Sequence, residues 1–308
     1  PPRSTLFPYT TLFRSMRMVF WITGFFLLVC LSVFFLHIST NTEEFSRYNM
    51  QWNGTSQFFG SRAGMDATEI RQISDLAGRT GSFLLIIAPE RPFDDRESRE
   101  VHDFLTQGNV VFLADETGAG NTLLEGLDSE IRVFPANLTS MERQYGDPSS
   151  VLAHPSSPDP LNTGITSLVL NSPSYTKGGT PVFTTSLLTW ADDNGNGRID
   201  ETEELGRYTI LSREYMGEGT LYVLSDPSVF INGMQDAGRE NSVFLGRLAG
   251  HYGPDLLIEQ DHSSTAKADL LVLAIIYMKR SKFMTTVLFI LVGTGASLYA
   301  WKRYSEVS

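Results

Sequence analysis

The chain has 308 residues, 42% hydrophobic and 19% charged, with 35 acidic against 24 basic side chains, five His and one Cys. That length supplies one large domain or two small ones with ample core volume. A single Cys excludes an intramolecular disulfide scaffold, 26 Gly and 14 Pro exclude a collagen-like or low-complexity chain, and a formal charge of −11 argues against a nucleic-acid partner.

Residues 1–15 (PPRSTLFPYTTLFRS) contain a near-repeat and read as translated sequencing-adapter sequence, with Met16 as the expected native start. Residues 18–38 form an apolar run of the length of about 20 that carries a helix across a bilayer, with His37 its only strongly polar member. No small-residue cleavage site follows before Asn41, so the run is expected to be an uncleaved anchor. Arg17 before it and Glu43 and Glu44 after it put the N-terminus in the cytoplasm and the next domain outside.

That domain is expected over 41–262. Residues 82–88 are continuously apolar, as in a strand buried on both faces. Asp94 and Glu97 make a capping box for a helix through Gln107 with Val101, Phe104 and Leu105 on one face. Gly108 ends the helix and 110–114 is the next strand, so the segment reads as a βαβ unit with parallel strands. A short helix follows at 122–127, then a Ser/Pro-rich connection over 147–160. Residues 166–170 and 182–190 read as strands, as do 208–212 and 220–225 around a hairpin turn at 217–219. Asp226-Pro227 reads as an N-cap followed by Pro at the first helical position. A helix over 240–251 should turn Val243, Phe244, Leu248 and Ala249 inward, and 256–258 is the last strand. The expected class is α/β, flavodoxin-like, with a partly parallel sheet, helices on both faces and an inserted antiparallel section.

Beyond it, 263–282 reads as a juxtamembrane helix, 283–301 as a second transmembrane helix and 302–308 as a cytoplasmic tail opened by Lys302 and Arg303. Lys279, Arg280 and Lys282 would then lie just outside, where they can snorkel to headgroups. Between Met18 and Ala266 the acidic residues number 33 and the basic 15, with Lys177 the only lysine. The acidity therefore belongs to the domain between the anchors.

The sharpest motif runs from Asp192 to Glu203. It places Asp192, Asn194, Asn196, the Arg198 carbonyl, Asp200 and Glu203 at EF-hand ligand positions, with Gly197 at the bend and Ile199 able to pin the loop to the core. Calcium needs six to eight hard oxygens around one point, and this spacing delivers them from one tight turn. The preceding segment is strand-like, so the loop should join strands; an acidic turn without metal is the other reading.

A second constellation lies at the ends of the predicted strands: Glu90, Asp115, Glu116, Asp226, Glu259, Asp261 and His262. Open α/β sheets bind ligands beyond these ends, so the residues could form one acidic crevice holding a divalent metal or a cationic ligand. The alternative is that Asp226 caps a helix and Asp115 satisfies the turn at Gly118-Ala-Gly120. That turn lacks the third Gly of a dinucleotide fingerprint, since Leu123 occupies its place. Cys30 lies inside the first apolar run, and neither G-x-S-x-G nor H-x-x-x-H occurs, which leaves no assigned catalytic residue. Asn53 and Asn137 open glycosylation sequons.

Tyr48-Asn49, Trp52-Asn-Gly-Thr-Ser56, Leu85-Ile-Ile-Ala-Pro89 with Glu97, 108–115 with Gly120-Asn121, Leu224-Ser-Asp-Pro227 with Phe230-Ile-Asn232, and Asp261-His262 before an anchor together resemble one family. It is the uncharacterised, membrane-anchored family called domain of unknown function 4350, of archaea and bacteria, and the resemblance covers about 46–303. It implies a class I glutamine amidotransferase-like fold, here without the nucleophilic Cys, and work in cell-envelope assembly beside other membrane proteins. The expected function is a non-catalytic, extracytoplasmic binding or scaffold domain with structural calcium. The alternatives are a metal-dependent hydrolase using the acidic crevice, with His262 as base, and an accessory subunit of a transport complex.

Overall fold

The computed structural model describes residues 40–61, 67–142, 144–237, 239–251 and 255–281, together with the short helical pieces 23–27, 29–31, 286 and 293–295. Most residues of both expected membrane spans, 18–38 and 283–301, lie outside the described residues. Among the described residues, no helix is long and apolar enough to cross a membrane. The chain divides into two compact units, Asn41–Asp269, and Pro1–Thr40 with Leu270–Ser308.

The unit Asn41–Asp269 is a mixed α/β structure. In chain order its elements are α1 (Ser56–Gly60), β1 (Thr68–Ile70), β2 (Ser82–Ile87), α2 (Asp95–Thr106), β3 (Val110–Ala114), α3 (Asn121–Gly126), β4 (Arg132–Phe134), β5 (Leu138–Ser140), β6 (Ser150–Pro155), β7 (Leu168–Asn171), β8 (Tyr175–Lys177) and β9 (Thr180–Thr185). Then come β10 (Thr189–Ala191), β11 (Thr209–Met216), β12 (Gly219–Leu224), α4 (Asn232–Ala237), α5 (Arg239–His251), β13 (Asp255–Glu259) and the start of α6 (Ala266–Arg280). The main sheet runs β1-β13-β2-β3-β12-β11-β9-β6-β7. The first five strands are mutually parallel, and from β12 to β7 every pairing is antiparallel.

Side-chain alternation along the parallel strands divides the core in two. Phe83, Leu85, Phe112, Tyr222, Leu224, Leu256 and Ile258 face one side, where Phe58 of α1 and Phe244, Leu245 and Leu248 of α5 cover them. Leu84, Ile86, Val111, Leu113, Leu221, Val223 and Leu257 face the other, under Val101, Phe104 and Leu105 of α2 and Leu123 and Leu124 of α3. Burial on both faces is why these strands are continuously apolar. The capping box at Asp94 and Glu97 forms as the sequence predicts, with the Asp94 carboxylate accepting from the Arg96 and Glu97 amides. The β11–β12 hairpin turns at Gly217-Glu218, and a Cβ on Gly219 would collide with the carbonyl oxygens of Leu105 and Asn109.

Three expectations are corrected. The segment 182–190 is not one strand: it breaks at 186–188, and β10 leaves the main sheet to pair with β5. The connection over 147–160 contains β6, whose Val151, Leu152 and Ala153 are buried between β7 and β9. On α5, Val243 is 42% exposed and Leu245 takes its inward place beside Phe244 and Leu248.

Both ends of this unit are tied at one carboxylate. Asp269 is fully buried and its Oδ1 accepts from Asn41 Nδ2 at 2.8 Å and Ser46 Oγ at 2.5 Å, while Oδ2 accepts from Thr265 Oγ1 at 3.0 Å.

The insertion is locked by Asp159, which accepts from Arg213 of β11 at 2.7 Å, from the Tyr222 hydroxyl of β12 and from the Leu161 amide. The Asp159 side chain is fully buried, so deleting its cation strands a charge in the interior. Arg213→Met should cost about 3–5 kcal/mol in urea denaturation of the full chain. Arg96→Met, which removes the exposed Arg96–Glu100 pair at 3.8 Å, should cost less than about 0.5 kcal/mol.

Candidate functional site

Parallel pairing brings the carboxyl ends of β13, β2, β3 and β12 to one edge of the sheet, so the strand-end residues gather there. Three of their carboxylates are consumed locally. Asp115, fully buried, accepts from the amides of Thr117 (2.8 Å), Gly118 (3.1 Å) and Gly120 (2.7 Å) and from the Thr117 hydroxyl (3.0 Å). Asp226, fully buried, accepts from the Asn171 amide and from the amide and hydroxyl of Ser228, capping the 3-10 turn Pro227–Phe230. Burial pushes its carboxyl up to about 6 despite those donors. Glu259, 2% exposed, accepts from the amides of Asp261 and His262 and meets His262 Nδ1 at 3.0 Å.

The expected constellation therefore separates. On one side, Glu259, Asp261 and His262 gather with Glu97, whose Oε2 lies 3.3 Å from His262 Nε2. The His262 ring is buried and stacks on Phe93 at 3.7 Å. Burial alone would lower the His262 pKa, but the Glu259 hydrogen bond and the charges of Glu259, Glu97 and Asp261 outweigh it and leave the pKa raised. Glu90 is exposed, and only its amide joins this side, donating to the His262 carbonyl at 2.9 Å. Sequence reasoning used Glu97 as a helix cap and missed its place beside His262, because that proximity depends on β13 pairing with β2.

On the other side, Glu116 lines a cavity of about 590 Å³ with Pro135, Ala136, Asn137, Asn171, Ser172, Ser174, Asp192 and Asp193. Ser174 Oγ fixes one wall by donating to the Glu116 carbonyl at 2.7 Å and accepting from the Ala136 amide at 3.1 Å. Ser172 adopts φ +46°, a left-handed conformation that costs a non-glycine residue energy. The half-buried Glu116 carboxyl is pushed up to about 7, first by burial and then by the charges of Asp226, Glu44 and Asp115. Neither His nor Cys lines this cavity. It offers amides, hydroxyls and carboxyls to a polar ligand, and it lacks a nucleophile paired with a base.

Asp192 and Asp193 join the cavity to the EF-hand-like loop, which leaves β10 and leads to β11, so strands flank it on both sides. Asp192 is 3% exposed, and the turn winds around its carboxylate: Oδ1 accepts from the Gly195 and Asn196 amides and Oδ2 from Gly197. Gly195 and Gly197 adopt φ +72° and +68°, which favour glycine. Asn194 and Asn196 donate side-chain amides to Asp200 Oδ2, and Asn196 Oδ1 accepts from the Arg198 amide. Glu203 closes the loop by accepting from the Asp193 and Asp200 amides. Ile199 is 37% exposed and does not pin the loop to the core; the Asp192 amide ties the start of the loop to the Asn137 carbonyl at 2.9 Å.

The protein family described as "Domain of unknown function (DUF4350)" matches residues 47–249. No curated protein matches the sequence. Among solved structures, the mmIFT52 N-terminal domain is 19% identical over 59% of this chain and 81% of that one, with a TM-score of 0.44. A β-galactosidase from Rahnella sp. R3 is 11% identical over 52% and 23%, with a TM-score of 0.30. The exo-β-1,4-mannosidase Op5Man5 from Opitutaceae bacterium strain TAV5 is 11% identical over 56% and 25%, with a TM-score of 0.31. At these scores the likenesses assign neither activity nor site.

The raised Glu116 carboxyl makes a directional prediction. The folded chain holds this proton more tightly than the unfolded chain, so the contribution to stability is complete below about 4.5 and is lost as pH rises through about 7. Thermal melts of the full chain should therefore show Glu116→Gln gaining on the wild type across that window, with the difference in midpoint largest above pH 7. A difference that stayed flat across it would contradict the assignment.

Proposed function

This chain belongs to the DUF4350 family, and on that premise we propose a membrane-anchored, extracytoplasmic domain of amidotransferase-like fold. It binds a polar envelope component or partner protein at the cavity beside Glu116 and holds calcium in the 192–203 loop as a structural ion. The observation that carries this reading is the use of Asp115, Asp226 and Glu259. Each is spent on backbone donors, Asp115 and Glu259 on those of their own turns and Asp226 on Ser228 and Asn171, which argues against the three acting as one catalytic centre. A hydrolase working through those carboxylates has correspondingly little support.

Anchoring is supported by the tie between Asn41 and Asp269. The two ends of the unit meet at this hydrogen bond, an arrangement compatible with two spans of the same membrane. A cytoplasm-active reporter fused after Ser308 should be active, placing the C-terminus inside. Activity only of a reporter that works outside the cytoplasm would sink the two-span topology.

Calcium is supported by the loop's shape. Asp192, Asn194, Asn196, Asp200 and Glu203 are drawn together within a single turn, and calcium would exchange the loop hydrogen bonds on their oxygens for coordination. Among the ligand positions only Asp192, Asp200 and Glu203 bring charge, so affinity should fall near 10⁻⁴ to 10⁻³ M, about the range of extracellular modules. Calcium at about ten times the dissociation constant should stabilise the full chain by about 1.4 kcal/mol. Glu203→Gln should abolish both the heat of binding and the shift in melting temperature. Absence of both signals in the wild type at millimolar calcium would overturn this assignment.

A further inference from the structure

His262 sits where a buried imidazole is oriented with unusual completeness. Its ring lies flat on Phe93, at 14° between planes, and is 2% exposed. Nδ1 lies 3.0 Å from Glu259 Oε1, and the same carboxylate is fixed by the amides of Asp261 and His262. An ionised carboxylate can only accept, so Nδ1 holds its proton toward Glu259, and Nε2 faces Glu97, where a metal ion would take the place of a second ring proton. A carboxylate behind one imidazole nitrogen is the usual support for a histidine whose other nitrogen ligates a metal.

The gap in front of Nε2 has matching dimensions. Glu97 Oε2 is 3.3 Å away, longer than the roughly 2.7–2.9 Å of a charge-assisted hydrogen bond. It equals the separation of about 3.3–3.4 Å between two ligands each bound about 2.0–2.1 Å from a tetrahedral zinc ion. One ligand atom each from Glu97, Asp261 and His262 lie within 4.8 Å of one another. Asp261 is drawn aside by Arg91 at 2.8 Å, but that pair is 59% and 40% exposed. Exposed pairs contribute little, so a rotation of Asp261 toward the ion meets weak opposition.

The geometry points to a divalent-metal site of the zinc type at Glu97, Asp261 and His262, with Glu259 as a positioning residue that is not a ligand. One imidazole and two carboxylates form a nitrogen–oxygen set suited to Zn²⁺, and three protein ligands leave a fourth position to water. The site is independent of the calcium loop and of the Glu116 cavity, so it goes beyond the proposed function and can fail without it.

The test is a titration of the full chain in detergent, kept in millimolar Ca²⁺, first with Co²⁺ as a visible reporter and then with Zn²⁺. One equivalent of Co²⁺ should give a ligand-field band that Zn²⁺ abolishes. Asp261→Asn and His262→Gln should each weaken Zn²⁺ at least tenfold. Glu259→Gln should weaken it about 10–100-fold and shift the Co²⁺ band, with Glu259→Asp restoring part of the loss. Glu203→Gln should change nothing. Because Asp261 lies outside the buried network, its variant tests the site even if substitutions at His262 or Glu259 unfold the chain. No Zn²⁺ binding tighter than about 100 µM, or undiminished binding in Asp261→Asn, would overturn the proposal.

Discussion

At the carboxyl end of the central strands β3, β12 and β13 the chain leaves the ladder, and its next backbone amides lose their strand partners. Asp115, Asp226 and Glu259 meet that need, each accepting from amides two to five residues further on, and Asp226 also from the Asn171 amide of β7. A buried amide left without an acceptor costs about 1–3 kcal/mol, so these carboxylates hold the strand exits in place. Everything else at this edge depends on where they send the chain. The turn after Asp115 sets Glu116 on the cavity wall, Asp226 holds the Asn171 corner, and Glu259 presents His262.

Two chemically different sites result from this single device. Around Glu116 the wall is made of amides, hydroxyls and carboxyls, and a carboxyl near neutrality can donate or accept according to its ligand. Around His262 the wall is aromatic on one side and acidic on the other, and the imidazole is held by hydrogen bonding and stacking together. The EF-hand-like loop repeats the principle on a smaller scale, with Asp192 collecting three successive amides. Carboxylates that organise backbone are poorly placed to act as general acids or bases. That consideration favours binding over catalysis at the cavity.

Much of the central fold was legible because its signals are local. The Asp94–Glu97 capping box, the continuous apolar runs of β2 and β3, the Gly217-Glu218 turn and the Asp226-Pro227 cap depend on residues within a few positions of one another. The strand β6 was illegible because three apolar residues between Ser150 and Pro155 gain strand structure only from β7 and β9 on either side. Nothing local marks the break at 186–188 either; it follows from β10 finding β5 as a partner, with Leu187 and Leu188 left exposed on the connection.

The sequence by itself determined the parallel βαβ centre, the acidic residues at the strand ends and the spacing of the EF-hand-like loop, since periodicity, caps and residue order are written in neighbouring residues. Only the tertiary structure decided which of those acidic residues remain available. It committed Asp115, Asp226 and Glu259 to backbone, brought Glu97 beside His262, and joined Glu116 to Asn137, Asn171, Ser172 and Asp192 around one cavity. The physical reason is that a carboxylate's role is fixed by the donors and the burial around it, and these come from segments far apart in the chain.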